Sequence, residues 1–299
     1  MNEAIPGEQH PKNTIRRHKK SRNLSKRRTA KPKKTHHTPR RRKRSRSVRD
    51  DEEGHLITHS CVQMLNWFHF HGHVCIVFEL LGLSTYDFLQ ENNFYPYPLE
   101  QIRHMGWQIF RAVDFLHQSK LIHTDLKPEN ILFINSEHSV EYNDKMKRYE
   151  KKIKNPDVKI ADFGNSVYHN EDHSSEIQTR HYRAPEVVLG LKWDQSCDVW
   201  SLGCILLEYY LGYVVFMANF SQNCPLPEFV VFTVIQRVTN SSFYCKTCQT
   251  LKILSQKNSD HIAFFDLIQK TLEYDSEKRI SPSEVLKHLF FHPLQQTSP

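Results

Sequence analysis

Glycine is scarce in this chain, nine in 299 residues, and the two closest in sequence, Gly203 and Gly212, stand nine apart. No G-x-G-x-x-G run exists, so a nucleotide cradled by such a loop is excluded for this polypeptide. Aromatic residues are missing from the first fifty positions, which excludes a packed core there. Uninterrupted apolar stretches near the roughly 18 residues of a membrane span are absent, as is the apolar segment of a signal peptide. The expectation is a soluble, intracellular chain with no membrane contact. The seven cysteines are scattered, and Cys245 and Cys248 form a lone CxxC without a second ligand pair, which favours reduced thiols over zinc.

What is present is unevenly spread. Residues 1–50 hold 19 Lys and Arg against 3 Asp and Glu, a net of +16, so the overall +8 leaves the remainder at −8. With so little apolar surface to offset ordering entropy, residues 1–50 are expected to form a disordered basic tail and 51–60 a linker. Within the tail, Arg40-Arg41-Arg42-Lys43-Arg44-Ser45-Arg46-Ser47 suits a nuclear address or an acidic-partner patch. Nuclear localisation is the leading expectation. Contact with RNA through the tail would be nonspecific and salt-sensitive, since no aromatic ring is available for base stacking.

From Cys61 the pattern turns apolar. Residues 61–68 and 74–79 read as two strands of a hairpin around His71-Gly72-His73. Ser84 or Thr85 caps a short helix through Glu91, and 99–118 places Ile102, Met105, Ile109, Val113 and Leu116 on one helical face. Strands are expected at 131–134 and 158–161, flanking a charged surface excursion over 135–155. The apolar run after Trp200 predicts a helix buried on all sides. Amphipathic helices are expected over 261–272 and 281–289, the second opened by Ser281-Pro282.

Phosphoryl transfer needs a base for the hydroxyl, oxygen ligands for metal and a cation near the moving phosphate. The run His123-Thr124-Asp125-Leu126-Lys127-Pro128-Glu129-Asn130 offers all three: Asp125 as base, Lys127 for the γ-phosphate and Asn130 for Mg²⁺. Asp162-Phe163-Gly164 follows, with Asp162 as a second metal ligand, and Ala184-Pro185-Glu186 comes later. A tripeptide alone says little; the ordered set is specific. Glu186 and Arg279 are expected to form a buried ion pair, and Asp198 to accept hydrogen bonds from the backbone of the catalytic loop, because unpaired charges beside apolar helices would be costly.

These motifs resemble eukaryotic protein kinases. From Asp50 onward the chain is similar to the LAMMER, or CLK, family of dual-specificity kinases. The resemblance is carried by His-Thr-Asp at 123–125, Phe78-Glu79-Leu80-Leu81-Gly82-Leu83-Ser84-Thr85, Thr179-Arg180-His181-Tyr182-Arg183 before Ala184, and Leu272-Glu273-Tyr274-Asp275. It implies an α+β kinase fold over 61–292: a mostly helical large lobe plus a remnant hairpin of the small lobe. ATP and Mg²⁺ are implied as cofactors, with backbone groups of Glu79 and Leu81 meeting adenine and Leu132 beneath it. Ser/Arg-rich splicing factors are implied as partners and substrates, phosphorylated on Ser and Thr, with autophosphorylation on Tyr. Thr124 lacks the charge with which His-Arg-Asp kinases grip a phosphorylated loop, so that switch is not expected to operate here.

Two departures matter. Ile57-Thr58-His59-Ser60 joins Cys61 directly where relatives of this type carry the glycine-rich loop, the strand lysine and its helix glutamate. Between Phe216 and Ile262 the signature that names the family is missing, and Pro225-Leu226-Pro227-Glu228 stands there instead. Two functions therefore remain open: a kinase slowed by the loss of its ATP cover, or a non-catalytic binder of Arg/Ser-rich partners.

Overall fold

The computed structural model describes residues 60–171, 174–215 and 259–295. The chain divides into two units, 1–48 and 49–299, and every described residue lies in the second. The expected disordered tail, the linker up to residue 59 and the Cys245/Cys248 pair lie outside the described residues.

Strands β1 (Met64–Phe70) and β2 (His73–Phe78) pair antiparallel, closed by His71 and Gly72. Both turn residues have positive φ, 48° and 83°, as a two-residue type I′ hairpin turn requires, and glycine adopts that conformation without a steric penalty. The chain then runs through Gly82, whose amide donates to Phe133 O at 2.8 Å. A Cβ at Gly82 would sit 2.8 Å from the Ser136 amide nitrogen, so the close crossing depends on glycine.

Helix α1 (Thr85–Glu91) starts where Ser84 Oγ accepts from the Asp87 amide at 3.0 Å. Helix α2 (Leu99–Gln118) buries Ile102, Met105, Ile109, Val113 and Leu116, the face its apolar spacing predicts. Short strands follow: β3 (Leu121–Ile122), β4 (Ile131–Phe133), β5 (His138–Asn143), β6 (Arg148–Ile153), β7 (Val158–Ile160) and β8 (Val167–Tyr168). They pair antiparallel as β3–β8, β4–β7 and β5–β6.

The charged segment expected as a surface excursion is thus an ordered hairpin over most of its length. Its anchor is Asn92, which accepts from the Lys151 amide at 2.7 Å and donates to Lys151 O at 3.0 Å. Ile153 is buried, and the Arg148 guanidinium lies 3.4 Å from the Tyr95 ring centroid. Of the twelve strand residues only Ile153 is fully buried, so the strands carry little apolar alternation and the pattern was faint in sequence.

Helices α3 (Pro185–Val188), α4 (Ser196–Leu211), α5 (Ser259–Thr271), α6 (Pro282–Val285) and α7 (His292–Gln295) complete the described fold. Every residue of α4 from Cys197 to Leu211 is buried. At Gly203 it meets the end of α5 so closely that a Cβ would lie 2.6 Å from Thr271 Oγ1. The capping box of α6 forms between Ser281 and Glu284, but the helix expected through Leu289 stops at Val285. His288 is extended, φ −70° and ψ 146°, and its side chain accepts from the Phe290 amide. That break turns Phe290 and Phe291 into the core, where truncating either ring would cost about 3–5 kcal/mol.

Candidate active site

The loop 123–130 is held from beneath by one carboxylate. Asp198, fully buried at the start of α4, accepts from the backbone amides of His123 and Thr124, each at 2.9 Å, and hydrogen-bonds His117 Nε2 at 2.9 Å. Burial pushes its pKa up, but the His117 hydrogen bond and charge and the His123 amide more than offset it, so the carboxyl stays below its ordinary range. Thr124 sits in the left-handed region, φ 66°, a strained conformation for a β-branched residue. Its hydroxyl donates to Asn165 O at 2.7 Å and its carbonyl accepts from the Gln178 amide at 3.0 Å. The position that lacks an arginine is therefore a neutral strut between three segments.

Asp125 receives a ring of donors. Lys127 Nζ reaches Oδ2 at 2.7 Å, and Thr179 reaches Oδ1 through its hydroxyl at 2.7 Å and its amide at 3.2 Å. Burial raises the Asp125 pKa, and hydrogen bonds from Lys127 and Thr179 outweigh it, leaving the carboxylate below its ordinary range and ionised at neutral pH. Lys127 Nζ also lies 3.4 Å from Thr179 Oγ1. Asn130 closes a 3₁₀ turn over 128–130 and donates its side-chain amide to Asp125 O at 2.9 Å, which leaves its side-chain oxygen available.

The β4–β7 register brings the two expected metal ligands to one place. Ile131 pairs with Ile160, and the Ala161 amide donates to Asn130 O at 2.9 Å, so Asn130 and Asp162 flank the same end of that ladder. Asp162 is exposed and left-handed, φ 61°, and Phe163 after it packs on the His123 ring at 5.2 Å between centroids. Leu132 lies on the opposite face of β4 from buried Ile131 and Phe133, paired with Lys159. Glu79 takes a hydrogen bond from the Gln63 amide and both oxygens meet Lys159 Nζ, at 2.6 and 2.9 Å. Leu81 is half-buried in the segment between β2 and α1.

Arg279 and Glu186 are both buried and form a two-pronged pair at 2.7 and 2.9 Å, with Arg279 also donating to Ser196 O and Glu273 O. The sequence motifs assign no separate role to Thr179, Gln178 or Lys159. Gln178, itself at φ 62°, donates to Cys197 O and Ser201 Oγ and accepts from the Ala184 amide, which fixes Thr179 against Asp125. The available signal for Lys159 was a charge in the middle of an apolar strand, Val158-Lys159-Ile160.

Two hard oxygen donors, Asn130 and Asp162, suit Mg²⁺ held with substrate phosphates and water. Among the described residues no group of three or more His, Cys, Asp or Glu gathers as a metal site.

Residues 20–291 match the protein kinase domain family. The chain is 50% identical over 263 residues to dual specificity protein kinase CLK1 of Mus musculus, covering 80% of this chain and 54% of that protein. It is 47% identical over 259 residues to dual specificity protein kinase CLK4 of Homo sapiens, covering 79% and 54%, and 44% identical over 264 residues to serine/threonine-protein kinase Doa of Drosophila melanogaster, covering 79% and 32%. A crystal structure of a kinase domain superposes with a TM-score of 0.63 at 30% identity, covering 81% of this chain and 82% of that one. The chain thus spans about half the length of the mammalian relatives it matches. On motif order, register and similarity together, the chain belongs to the protein kinase family and, within it, to the LAMMER/CLK group.

Proposed function

We propose that this chain is a LAMMER/CLK-type kinase that works on Ser/Arg-rich proteins in the nucleus, with its phosphoryl transfer slowed by orders of magnitude. The observation that carries the reading is the Asp125 cluster: an ionised carboxylate oriented by Lys127 and Thr179, with Asn130 and Asp162 at the neighbouring ladder end. Asp125 orients and accepts the proton of a Ser, Thr or Tyr hydroxyl. Lys127 lies beside it as the cation for the transferred group. When bound, ATP·Mg²⁺ supplies the phosphoryl group and the metal that neutralises its charge.

The slowing follows from what the sequence lacks. No G-x-G-x-x-G loop covers the phosphates, and each preorganised donor removed from such a site costs about 10²–10³ in rate. The nuclear assignment is supported by the Arg/Ser cluster at 40–47 and the Ser/Arg-rich substrate class by the group likeness. Nonspecific RNA contact through residues 1–50 accompanies it.

The test is transfer of labelled phosphate from ATP to a Ser/Arg-rich peptide by the purified chain. Slow transfer, abolished in Asp125→Asn, is expected. A rate equal to that of a complete relative overturns the slowing; transfer that survives Asp125→Asn overturns the assignment of the base. The absent loop also favours a second reading, a non-catalytic binder of Arg/Ser-rich partners. Retained peptide affinity with no transfer at any ATP concentration would establish it.

A further inference from the structure

Residues 62–78 contain no Asp, Glu, Lys or Arg, although they form a two-stranded hairpin whose strands are both exposed. Exposed sheet edges in monomeric proteins are ordinarily blunted by charge, proline or bulges, and a lone two-stranded hairpin is marginal in water. The two edges here differ. His71 and Gly72 make Phe70 and His73 the closing pair, so ladder bonds alternate from there and the main-chain groups of Trp67 and His69 on β1, and of Val74, Ile76 and Phe78 on β2, point outward.

On β1 the edge is partly closed by its own side chains and shape. The Trp67 amide donates to Asn66 Oδ1 at 2.8 Å, and a register shift between Met64 and Asn66 bends the strand. On β2 no side chain of the described residues satisfies the outward groups: Val74, Ile76 and Phe78 present an apolar edge, 60%, 50% and 46% exposed.

We infer that the β2 edge is a dimerisation surface, on which a second copy of this chain pairs its own β2 antiparallel about a two-fold axis at Ile76. That register sets Ile76 of one copy opposite Ile76 of the other and Val74 opposite Phe78, and it joins two hairpins into a four-stranded sheet in the order β1–β2–β2–β1. A second copy is favoured by charge. A strand from residues 1–50 would lay part of a net +16 on an uncharged edge, whereas β2 brings none. The isologous arrangement also leaves every opposed pair from Val74 to Phe78 apolar.

The experiment is sedimentation equilibrium of the full chain over a concentration series, with hydrogen exchange of the β2 amides. A monomer–dimer equilibrium is expected, with protection of Val74, Ile76 and Phe78 rising with dimer fraction. Ile76→Lys places like charges face to face across the axis and should weaken dimerisation at least tenfold. Trp67→Lys, on the self-capped edge, should leave it within about twofold; unchanged thermal unfolding shows that both variants fold. A monomer at every concentration overturns the proposal, as does a monomer whose β2 amides are already protected, since another segment of the chain would then occupy the edge. A dimer lost in Trp67→Lys but kept in Ile76→Lys overturns it too.

Discussion

The β1/β2 hairpin and helix α4 are both built mainly from apolar residues, and their surroundings are opposite. From Cys197 to Leu211 every residue of α4 is buried, while Met64, Trp67, Phe70, Val74 and Ile76 are each half exposed or more. Hydrophobicity states which side chains gain from leaving water, about 25 cal/mol per Å² removed. Only a neighbouring surface decides whether they do. In α4 the neighbours are α2 and α5; at the hairpin the described chain offers little beyond the paired strand.

This contrast can be attacked from the core side first. Arg279→Ala leaves the Glu186 carboxylate buried without its partner and should lower stability by about 3–5 kcal/mol, read as a shift in the urea midpoint. Replacing both residues by apolar ones of similar volume should recover much of that loss, because the penalty lies in the orphaned charge.

Next in size, Ile109→Ala in α2 should cost about 3 kcal/mol through lost burial and an unfilled cavity, measured by thermal unfolding. A value under about 1 kcal/mol would mean the helical core is as loosely held as the hairpin.

A pH test addresses the same core. Glu208, buried in α4, accepts a 2.7 Å hydrogen bond from the Tyr182 hydroxyl, and burial pushes its pKa up to about 7 against the opposing Tyr182 bond. A carboxyl raised above its unfolded value contributes stability that is fully present below that value and is lost as pH rises through about 7. Between roughly pH 4.5 and 7 this group should therefore withdraw on the order of 1–3 kcal/mol. Glu208→Gln should flatten that part of the stability profile, and an unchanged slope would show that Glu208 ionises without penalty.

The smallest effect belongs to the hairpin. Ile76→Ala should change stability by less than about 0.5 kcal/mol at concentrations where the protein is monomeric, since a half-exposed side chain has little burial to lose. A loss matching that of Ile109→Ala would mean that β2 is covered in the monomer.

Some elements were legible because their physics is local. Ser84 and Ser281 cap their helices with their own hydroxyls, and the 3.6-residue spacing of Ile102, Met105, Ile109 and Val113 marks the inner face of α2. The sharp turn at His71-Gly72 likewise depends on the backbone freedom of one glycine. The β5/β6 hairpin was not legible, since its register rests on Asn92, some sixty residues away in sequence from Lys151. Nor was the early end of α6, which the packing of Phe290 and Phe291 decides.

The candidate site divides in the same way. Residue types and their spacing on the loop 123–130 and at 162–164 determined by themselves which candidate base, cation and metal donors this protein offers, because those are properties of side chains. Tertiary structure alone decided that Thr179 would complete the shell of Asp125, that Lys159 would neutralise Glu79, and that Asp198 would hold the loop by two amides. Those partners are 54, 80 and about 75 residues apart in sequence. A hydrogen bond reaches only about 3 Å, so contacts across such separations exist only once folding has brought the segments together.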